Sequence, residues 1–373
     1  MAVNIHLLRT QRPHFGTYSG ISQFLKYIDH NKYHVDVHII SDSDKDFPIQ
    51  NRLVQRCLRY IVQFNGMKYY KLSDFTAEVK AVRKCWQSKV DIIHYIDGEH
   101  SAQYLPWLFK HWGKFQTKIV ATFHQPPELL ASLTSKKIIA KLDYVTVVSP
   151  QQIPYFQELL APDKIFLVLH GIDTDYFRPM DTPKPGRKFK CITVGHWLRD
   201  FRVIREVAEK LAAYKNIEFH VATSKVTGPS LTGLEGLTNI IIYREGLDDT
   251  SLLRLYQQSD ILFLPLIQST ANNALLEGIA CGLPVVSTCL PSIKAYLPGE
   301  EAVLIKGNDP EQFIDTILYL ASHPEDCRHM ALAARKRAEV LDWRHIAPQY
   351  EKVYSRIIND KLSCGCKEDS SAR

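Results

Sequence analysis

Short runs of Val, Ile, Leu and aromatic residues recur along this chain, and they alternate with segments whose apolar residues are spaced as in amphipathic helices. Several of these runs are continuous, which is typical of parallel strands that are covered on both faces. Helical spacing is clearest over 203–214, 251–258, 331–341 and 345–359. The runs that we predict to be strands are 3–8, 34–40, 90–96, 118–123, 144–148, 165–169, 189–194, 217–221, 239–243, 261–264, 284–287 and 302–305.

The alternation of strands and helices predicts an α/β fold with doubly wound parallel sheets. It stops over 177–187, where three prolines and a glycine suit an interdomain linker, and it resumes with a new strand. We therefore predict two Rossmann-like domains that face a cleft, over 1–178 and 179–344. A helix over 345–362 and a polar, disordered tail over 363–373 complete the prediction.

Charge is unevenly distributed along the 373 residues, which carry a formal net charge of +6. Segment 51–90 holds nine basic and two acidic residues, a net charge of +7. Arg52, Arg56 and Arg59 share one side of a predicted helix, and Leu53 and Ile61 lie on another. Such a helix can rest on anionic lipid, or it can be a solvated helix face packed on the first domain. No nucleic-acid-binding motif accompanies the charge, so we expect no nucleic acid partner.

The eight cysteines are scattered, mostly within apolar segments and without a CxxC pair, which favours a reducing compartment. The first strand-like run begins at Val3 without a signal-peptide pattern. No apolar stretch reaches the roughly 20 residues that are needed to span a bilayer. We therefore expect a cytoplasmic protein, either soluble or peripheral on the inner face of a membrane.

Two short motifs could bind metal, and both are weak. Asp42 and Asp44 form an Asp-x-Asp pattern in a polar loop, but so short a pattern arises by chance. Cys364 and Cys366 lie in the polar tail and could bind a metal or pair with each other. We predict no metal site.

Segment 269–288 carries the strongest chemical signal. Ser269, Thr270 and Asn272 are good N-cap residues for a helix over 274–280, which Gly282 would end. A helix N-terminus at the carboxyl edge of a strand offers N–H groups and a positive dipole to a diphosphate or to sugar hydroxyls. Glu277, in about the first turn, could accept both hydroxyls of a ribose. From the residues alone, a capped core helix explains the segment equally well.

The segment resembles the signature of the retaining glycosyltransferases of family 4, in which a glutamate, seven residues and a second glutamate precede a run such as A-x-G-x-P-V-V. Glu277 matches the second glutamate, and the residues from Ala280 to Val286 match the run after it. The resemblance implies that Glu277 binds the ribose of a sugar donor. The first glutamate of the family, which acts at the transferred sugar, is replaced by Ser269, so this position leaves the donor sugar and the catalytic competence open.

Further segments resemble the family in the correct order. Segment 170–179 is similar to the end of the family's N-terminal domain, and 342–344 is similar to the point where the chain crosses back to that domain. Segment 194–200 is similar to the loop whose arginine and lysine hold the donor diphosphate; His196 replaces the arginine, and Arg199 and Arg202 are the candidate substitutes. The donor-binding residues that the resemblance implies are Gly195, His196, Arg199, Arg202, Gly246, Ser269, Thr270, Asn272, Asn273, Ala274 and Glu277.

On the first domain, the resemblance implies a catalytic role for His124, which follows a strand and would contact the donor sugar. Gly16, Tyr18 and Gly20 take the place of a glycine-rich acceptor loop, where missing side chains let the backbone approach a ligand. A structural histidine and a plain turn are the alternatives that the residues leave open.

The resemblance implies the two-domain GT-B fold and the transfer of a sugar from a nucleoside diphosphate sugar to an acceptor hydroxyl. It also implies retention of anomeric configuration without a metal or a cofactor, in polysaccharide, glycolipid or glycoconjugate synthesis. The acceptor would be a carbohydrate or a lipid-linked molecule. A catalytically silent nucleotide-sugar-binding or partner protein is the main alternative, and another GT-B enzyme, such as an epimerase or a phosphorylase, is a second.

Overall fold

A computed structural model describes residues 2–11, 17–64, 66–112, 115–180, 188–223, 231 and 233–368, with side chains as far as residue 361. The chain divides into two compact units. The first unit comprises 1–13, 24–169 and 346–373, and the second comprises 14–23 and 170–345.

The first unit is built on a six-stranded parallel sheet. Its strands are β1 (Val3–Gln11), β2 (Tyr33–Ser41), β3 (Ile92–Tyr95), β4 (Lys118–Phe123), β5 (Tyr144–Val147) and β6 (Ile165–Leu167). They are arranged in the order β2-β1-β3-β4-β5-β6, so the strand order reverses between β1 and β3. The carboxyl ends of strands beside such a reversal form the crevice in which α/β proteins bind ligands.

The second unit contains another six-stranded parallel sheet. Its strands are β7 (Phe189–Val194), β8 (Ile217–Ala222), β9 (Ile240–Tyr243), β10 (Ile261–Leu264), β11 (Val285–Thr288) and β12 (Ala302–Ile305). The order is β12-β11-β10-β7-β8-β9, and the reversal therefore falls between β7 and β10.

The helices alternate with these strands. In the first unit they are α1 (Arg52–Gln63), α2 (Leu72–Gln87), α3 (Gly98–Ser101), α4 (Leu105–Trp112), α5 (Pro127–Leu133), α6 (Lys136–Ile139) and α7 (Ile153–Gln157). In the second they are α8 (Phe201–Lys210), α9 (Asp249–Gln258), α10 (Asn273–Ala280), α11 (Pro291–Tyr296), α12 (Pro310–Ser322) and α13 (Pro324–Val340). The last helix, α14 (Trp343–Glu368), begins in the second unit and continues in the first.

Each of the twelve predicted runs contains or overlaps one of these strands, and the predicted α/β fold with two doubly wound parallel sheets is confirmed. The continuous apolar runs became central strands: every residue of β3, β5, β10 and β11 is buried. This burial explains why those strands show no alternation of apolar and polar residues.

The unit boundaries differ from the predicted ones at three places. Residues 14–23, which we placed in the first domain, belong to the second unit, and the second unit begins at His170 rather than at residue 179. The prediction of a disordered tail was wrong for 363–368, because α14 runs without interruption to Glu368. A helix that is already nucleated extends through polar residues at little cost, since each added residue gains a backbone hydrogen bond. Most of the predicted linker, including Pro183, lies outside the described residues.

A buried histidine ties α14 into the core of the first unit. His94, on β3, contacts the Tyr354 hydroxyl at 2.7 Å through Nδ1 and the Thr122 hydroxyl at 2.8 Å through Nε2. Burial, assisted by the nearby charge of His124, lowers the pKa of His94 from 6.5 to about 3. The imidazole is therefore neutral in the folded protein at any pH near neutrality.

This shift predicts an acid sensitivity that His94→Gln should remove. Between the unfolded pKa of 6.5 and the folded pKa of about 3, the unfolded chain binds a proton that the folded chain does not. The unfolding free energy of the wild type should therefore fall by about 1.4 kcal/mol per pH unit more than that of the variant as the solution is acidified through this window. Denaturant titrations over the window measure both slopes, and parallel pH profiles would contradict the assignment.

Candidate functional site

The β7–α8 loop lies at the strand-order reversal of the second sheet. After β7 the chain turns at Gly195, whose φ of 84° is in the left-handed region that favours glycine. A Cβ at this position would stand 3.1 Å from the guanidinium of Arg199. The loop then runs beside the segment after β10: Ile267 N–H donates to Leu198 O at 2.9 Å, and Asp200 N–H donates to Pro265 O at 3.0 Å.

Arg199, a predicted diphosphate ligand, is turned into the protein. Its guanidinium donates to Val194 O at 2.8 and 3.1 Å, to Trp197 O at 3.0 Å and to Asn272 Oδ1 at 3.2 Å. Burial lowers the pKa of Arg199 to about 10, against the opposing influence of Tyr256 and Glu277. Arg199 therefore stays charged at neutral pH, and its position is set by backbone carbonyls.

The other two residues that we predicted to bind the diphosphate near Arg199, His196 and Arg202, lie in different environments. His196 is on the exposed side of the loop, where partial burial, followed by the charge of Arg199, lowers its pKa. Arg202 lies in the first turn of α8, and its exposed guanidinium is 3.6 Å from both Asp200 and Glu206. Of the two predicted arginines, only Arg199 contacts the segment that precedes α10.

The helix α10 begins as predicted at its cap. Asn272 is the N-cap residue, and its Oδ1 accepts from Leu275 N–H at 3.3 Å as well as from Arg199. Asn273 and Ala274 form the first turn, so their N–H groups are among those that a helix N-terminus directs outward. Ser269 and Thr270 are both buried in the approach to this helix. The segment thus combines a positive helix end with a fixed cation.

Glu277 lies one turn further along α10, and only 5% of the residue is exposed. Its Oε2 accepts from the Tyr256 hydroxyl of α9 at 2.8 Å, and its Oε1 accepts from the Ser19 hydroxyl. Burial raises the pKa of Glu277, although both hydroxyls favour the ionised form. Both carboxylate oxygens, which the resemblance assigns to a ribose, therefore have protein donors in this structure.

The predicted acceptor-side loop packs on the second unit, which corrects its placement in the first domain. Besides Ser19, Thr17 N–H donates to Asp249 Oδ2 at 2.9 Å, and the Tyr18 ring stacks on Tyr176 with 3.5 Å between centroids. These contacts give the buried carboxylate of Glu277 a hydroxyl donor. Gly20 ends the described turn, and Gly16 lies outside the described residues.

Asn308 was not anticipated, and it joins the loops that follow four strands. Its Nδ2 donates to Asp200 Oδ2 at 3.0 Å and to Leu266 O at 2.9 Å, and its Oδ1 accepts from the Thr288 hydroxyl. The backbone of Asn308 has a φ of 54°, a conformation that asparagine adopts more readily than most residues. An Asn-Asp dipeptide after the last strand was the only signal in the sequence.

The remaining donor-side prediction, Gly246, follows β9 at the same edge of the sheet, and its N–H donates to Thr223 O at 3.1 Å. The described residues therefore bring Arg199 and Asn272 into direct contact, with Gly195 at the turn beside Arg199 and Glu277 further along α10. They place Gly246 at the neighbouring strand ends, two strands away from β7.

His124 belongs to the first unit, where it follows β4 at the carboxyl edge of that sheet. Its backbone N–H lies 3.2 and 3.3 Å from the two carboxylate oxygens of Glu99, and its Nδ1 is 3.5 Å from Oε1. Burial alone would raise the pKa of Glu99. The charge and the hydrogen bond of His124, together with the charge of His100, act in the opposite direction, and the pKa of Glu99 lies below its ordinary value. Glu99 is a partner that sequence reasoning missed.

The Asp-x-Asp motif has a structural explanation in part. Asp44 Oδ1 accepts from Leu72 N–H at 2.8 Å, which helps to cap α2, and its other oxygen pairs with Arg59 of α1. Among the residues that the structure describes, no group of three or more His, Cys, Asp or Glu is arranged to hold a metal ion. Cys364 and Cys366 have no described side chains.

Two family models match adjoining parts of the chain. The model for glycosyltransferase family 4 matches residues 25–176, and the model for glycosyl transferases group 1 matches residues 190–323. The first match covers the first sheet from β2 onward, and the second covers all of the second sheet.

Curated relatives are distant. An MMP alpha-(1->4)-mannosyltransferase from Mycolicibacterium hassiacum is 24% identical over 55% of this chain and 51% of the relative. A D-inositol 3-phosphate glycosyltransferase from Catenulispora acidiphila is 23% identical over 66% of this chain and 64% of the relative. The chain thus spans about half to two thirds of the length of these two relatives.

Solved structures share the fold over nearly the whole chain. Sucrose-phosphate synthase from Thermosynechococcus elongatus superposes with a TM-score of 0.72 at 16% identity, covering 96% of this chain and 100% of that one. The Anabaena protein HepE in complex with UDP superposes with a TM-score of 0.67 at 12% identity, covering 95% and 100%. At these identities the likeness concerns the fold.

The contact between Ser19 and Glu277 predicts competition with a bound nucleotide. If ribose hydroxyls take the place of the Ser19 hydroxyl, Ser19→Ala should strengthen the binding of a nucleoside diphosphate about 3- to 10-fold, because one hydrogen bond no longer has to be broken. Calorimetry measures this change in affinity. Thr17→Ala is the matched control, because it keeps the backbone contact to Asp249. Weaker binding of the nucleotide by Ser19→Ala would contradict the prediction and would show instead that Ser19 orients Glu277.

Proposed function

This chain belongs to the glycosyltransferases of family 4 and group 1, and we propose that it is an enzyme that transfers a sugar from a nucleoside diphosphate sugar to an acceptor hydroxyl. The observation that carries this proposal is the cluster of Arg199, Asn272 and Glu277 at the strand-order reversal of the second sheet. A buried carboxylate, a fixed cation and a helix N-terminus are the groups that a ribose and a diphosphate require.

The diphosphate is the leaving group, so catalysis mainly needs stabilisation of its developing negative charge. We place it at the N-terminus of α10, where Asn273 and Ala274 begin the helix. The charge of Arg199, held by Val194 O and Asn272, contributes electrostatically without needing to reorganise. We propose that His196, on the exposed side of the same loop, contacts the phosphates directly.

The ribose would be bound by Glu277. Its carboxylate can accept two hydroxyl hydrogen bonds, and it does so in this structure from Ser19 and Tyr256. A nucleotide would replace Ser19 while Tyr256, on the neighbouring helix, keeps the carboxylate oriented. Gly246, after β9, is the residue that we place near the base.

At the transferred sugar, we assign His124 as the catalytic residue, with Glu99 as its positioning partner in the first unit. The imidazole can donate a hydrogen bond to the sugar, and the neighbouring carboxylate stabilises the protonated ring. Ser269 and Thr270 would select the sugar on the donor side. We propose that the reaction retains anomeric configuration, as the family resemblance implies, and that it needs no metal, because Arg199 and the N-terminus of α10 can stabilise the diphosphate.

The acceptor is proposed to be a hydroxyl of a carbohydrate or of a lipid-linked molecule, in polysaccharide, glycolipid or glycoconjugate synthesis. Relatives named for mannosyl transfer and for D-inositol 3-phosphate support a polyhydroxylated acceptor. We place the protein in the cytoplasm, at the inner face of a membrane. The arginine side of α1, with Arg52, Arg56 and Arg59, supports this placement.

A catalytically silent nucleotide-sugar-binding protein is a second candidate, because Ser269 replaces a glutamate and the guanidinium of Arg199 is occupied by the protein. Incubation with a panel of nucleoside diphosphate sugars and crude membrane acceptors separates the two functions. Release of nucleoside diphosphate supports the enzyme, whereas tight binding of a nucleotide sugar without release supports the silent protein.

Glu277→Gln should weaken the binding of a nucleoside diphosphate about 10- to 100-fold, since hydrogen bonds to a charged group contribute about 1.5–3 kcal/mol. The amide has nearly the volume of the carboxylate, so the packing of α10 should be preserved. Calorimetry with uridine and guanosine diphosphates measures the change and also identifies the base. Glu311→Gln, an exposed substitution on α12, is the control, and unchanged affinity in Glu277→Gln would refute the assignment.

A further inference from the structure

Three helices form one outer layer of the first unit. Leu58 of α1, Val82 of α2 and Leu108 of α4 all pack against the same hydrophobic core of the first sheet. α1 lies beside α2, and Trp86 of α2 is 5.9 Å from Trp112 of α4, measured between ring centroids. We call the solvent side of this layer the α1–α2–α4 face.

Large apolar side chains are exposed along the α1–α2–α4 face. Single exposed apolar residues are common on proteins, but many large ones on adjoining helices are typical of an interaction site. Leu53 is 74% exposed, Phe64 is 68% exposed and Trp86 is 64% exposed. Three of the five tryptophans of the chain lie on this face. The exposed apolar side chains are Leu53, Val54, Tyr60, Ile61, Phe64, Val79, Trp86, Trp107 and Trp112.

The charged residues exposed on the same helices are all basic. α1 and α4 contain no acidic residue, and the two acidic residues of α2, Asp74 and Glu78, are buried. Glu78 is satisfied there by the hydroxyls of Tyr70 and Tyr95, each at 2.7 Å. The basic residues are Arg52, Arg56, Arg59, Lys80, Arg83, Lys84 and Lys110.

Two of these cations have carboxylate partners: Arg59 pairs with Asp44, and Lys84 is 2.8 Å from Asp36. The other basic side chains share these three helices with the apolar ones, and no acidic side chain is exposed on the helices. A nucleic acid would meet the positive charge but not the aliphatic residues Leu53 and Ile61. An anionic bilayer meets both, since basic residues attract the headgroups, and tryptophan and aliphatic side chains enter the interface.

We propose that the α1–α2–α4 face docks the protein on the surface of an anionic lipid bilayer, with Trp86, Trp107 and Trp112 in the headgroup region. This deepens the proposed function, on which it rests for the lipid-linked acceptor. The described helices include none with the length and apolar character of a membrane span. In this proposal the tryptophans of α2 and α4 contact the bilayer in addition to the arginines of α1.

The test is the partition of the full chain onto vesicles of phosphatidylglycerol and phosphatidylcholine, compared with vesicles of phosphatidylcholine alone. The wild type should float with the anionic vesicles and show a blue-shifted tryptophan emission. Replacing Arg52, Arg56 and Arg83 by Gln should lower the partition coefficient on anionic vesicles about 100-fold, because each basic residue near the surface contributes about fivefold.

A second variant tests the apolar part. Trp86→Ser with Trp107→Ser should lower the partition coefficient about 10-fold or more while leaving the dependence on anionic lipid in place. The matched controls change equally exposed side chains on helices of the second unit: Arg205→Gln, Arg328→Gln and Lys336→Gln for charge, and Leu332→Ser for apolar area. These should leave partition unchanged.

Three outcomes would overturn the proposal: no partition onto either vesicle, equal partition onto both, or equal losses in the test and control variants. If the wild type instead forms a dimer that Trp86→Ser dissociates and does not bind vesicles, the face is a protein interface and the proposal is wrong. Vesicle binding needs no nucleotide. It should therefore persist in Glu277→Gln, and its result is distinct from that of the donor panel.

Discussion

A carboxylate removed from water organises the second unit. An ionised carboxylate is costly to bury unless its oxygens are hydrogen-bonded, and Glu277 meets this condition through Tyr256 and Ser19. Tyr256 belongs to α9, and Ser19 comes from a segment that precedes the rest of the unit by about 150 residues in the chain. The carboxylate of Glu277 on α10 thereby links this helix to α9 and to the distant segment that contains Ser19.

Hydrogen bonds within the protein also hold the phosphate side of the site in place. Arg199 uses its N–H groups on carbonyls of its own loop, and Asn308 joins that loop to the segments after β10 and β11. Because these contacts are made within the protein, the positive charge and the start of α10 are in position before a ligand arrives. Such pre-organisation lowers the cost of binding and of stabilising charge during reaction.

Local patterns allowed the strands, α10 and its glycine end to be predicted from the residues. Central strands and helix caps depend on neighbours within a few positions, and Gly282, with a φ of 73°, ends α10 where expected. The contact of Ser19 with Glu277 joins residues 258 positions apart, and no periodicity records such a pairing. The sequence also did not predict that the Arg199 guanidinium donates to backbone carbonyls, because an arginine near a glycine turn can contact either a ligand or the backbone. The exposure of Leu53 and Trp86 depends on what packs over a helix, which composition alone does not encode.

The helix α14 has a consequence for how the protein is made. It begins at the end of the second unit, yet Tyr350, Tyr354 and Ile357 are buried within the first unit, where Tyr350 stacks on Phe24 with 4.4 Å between ring centroids. During synthesis, the first sheet emerges from the ribosome long before the side chains that complete its core. The core of the first unit therefore stays incomplete while about 180 residues of the second unit are translated.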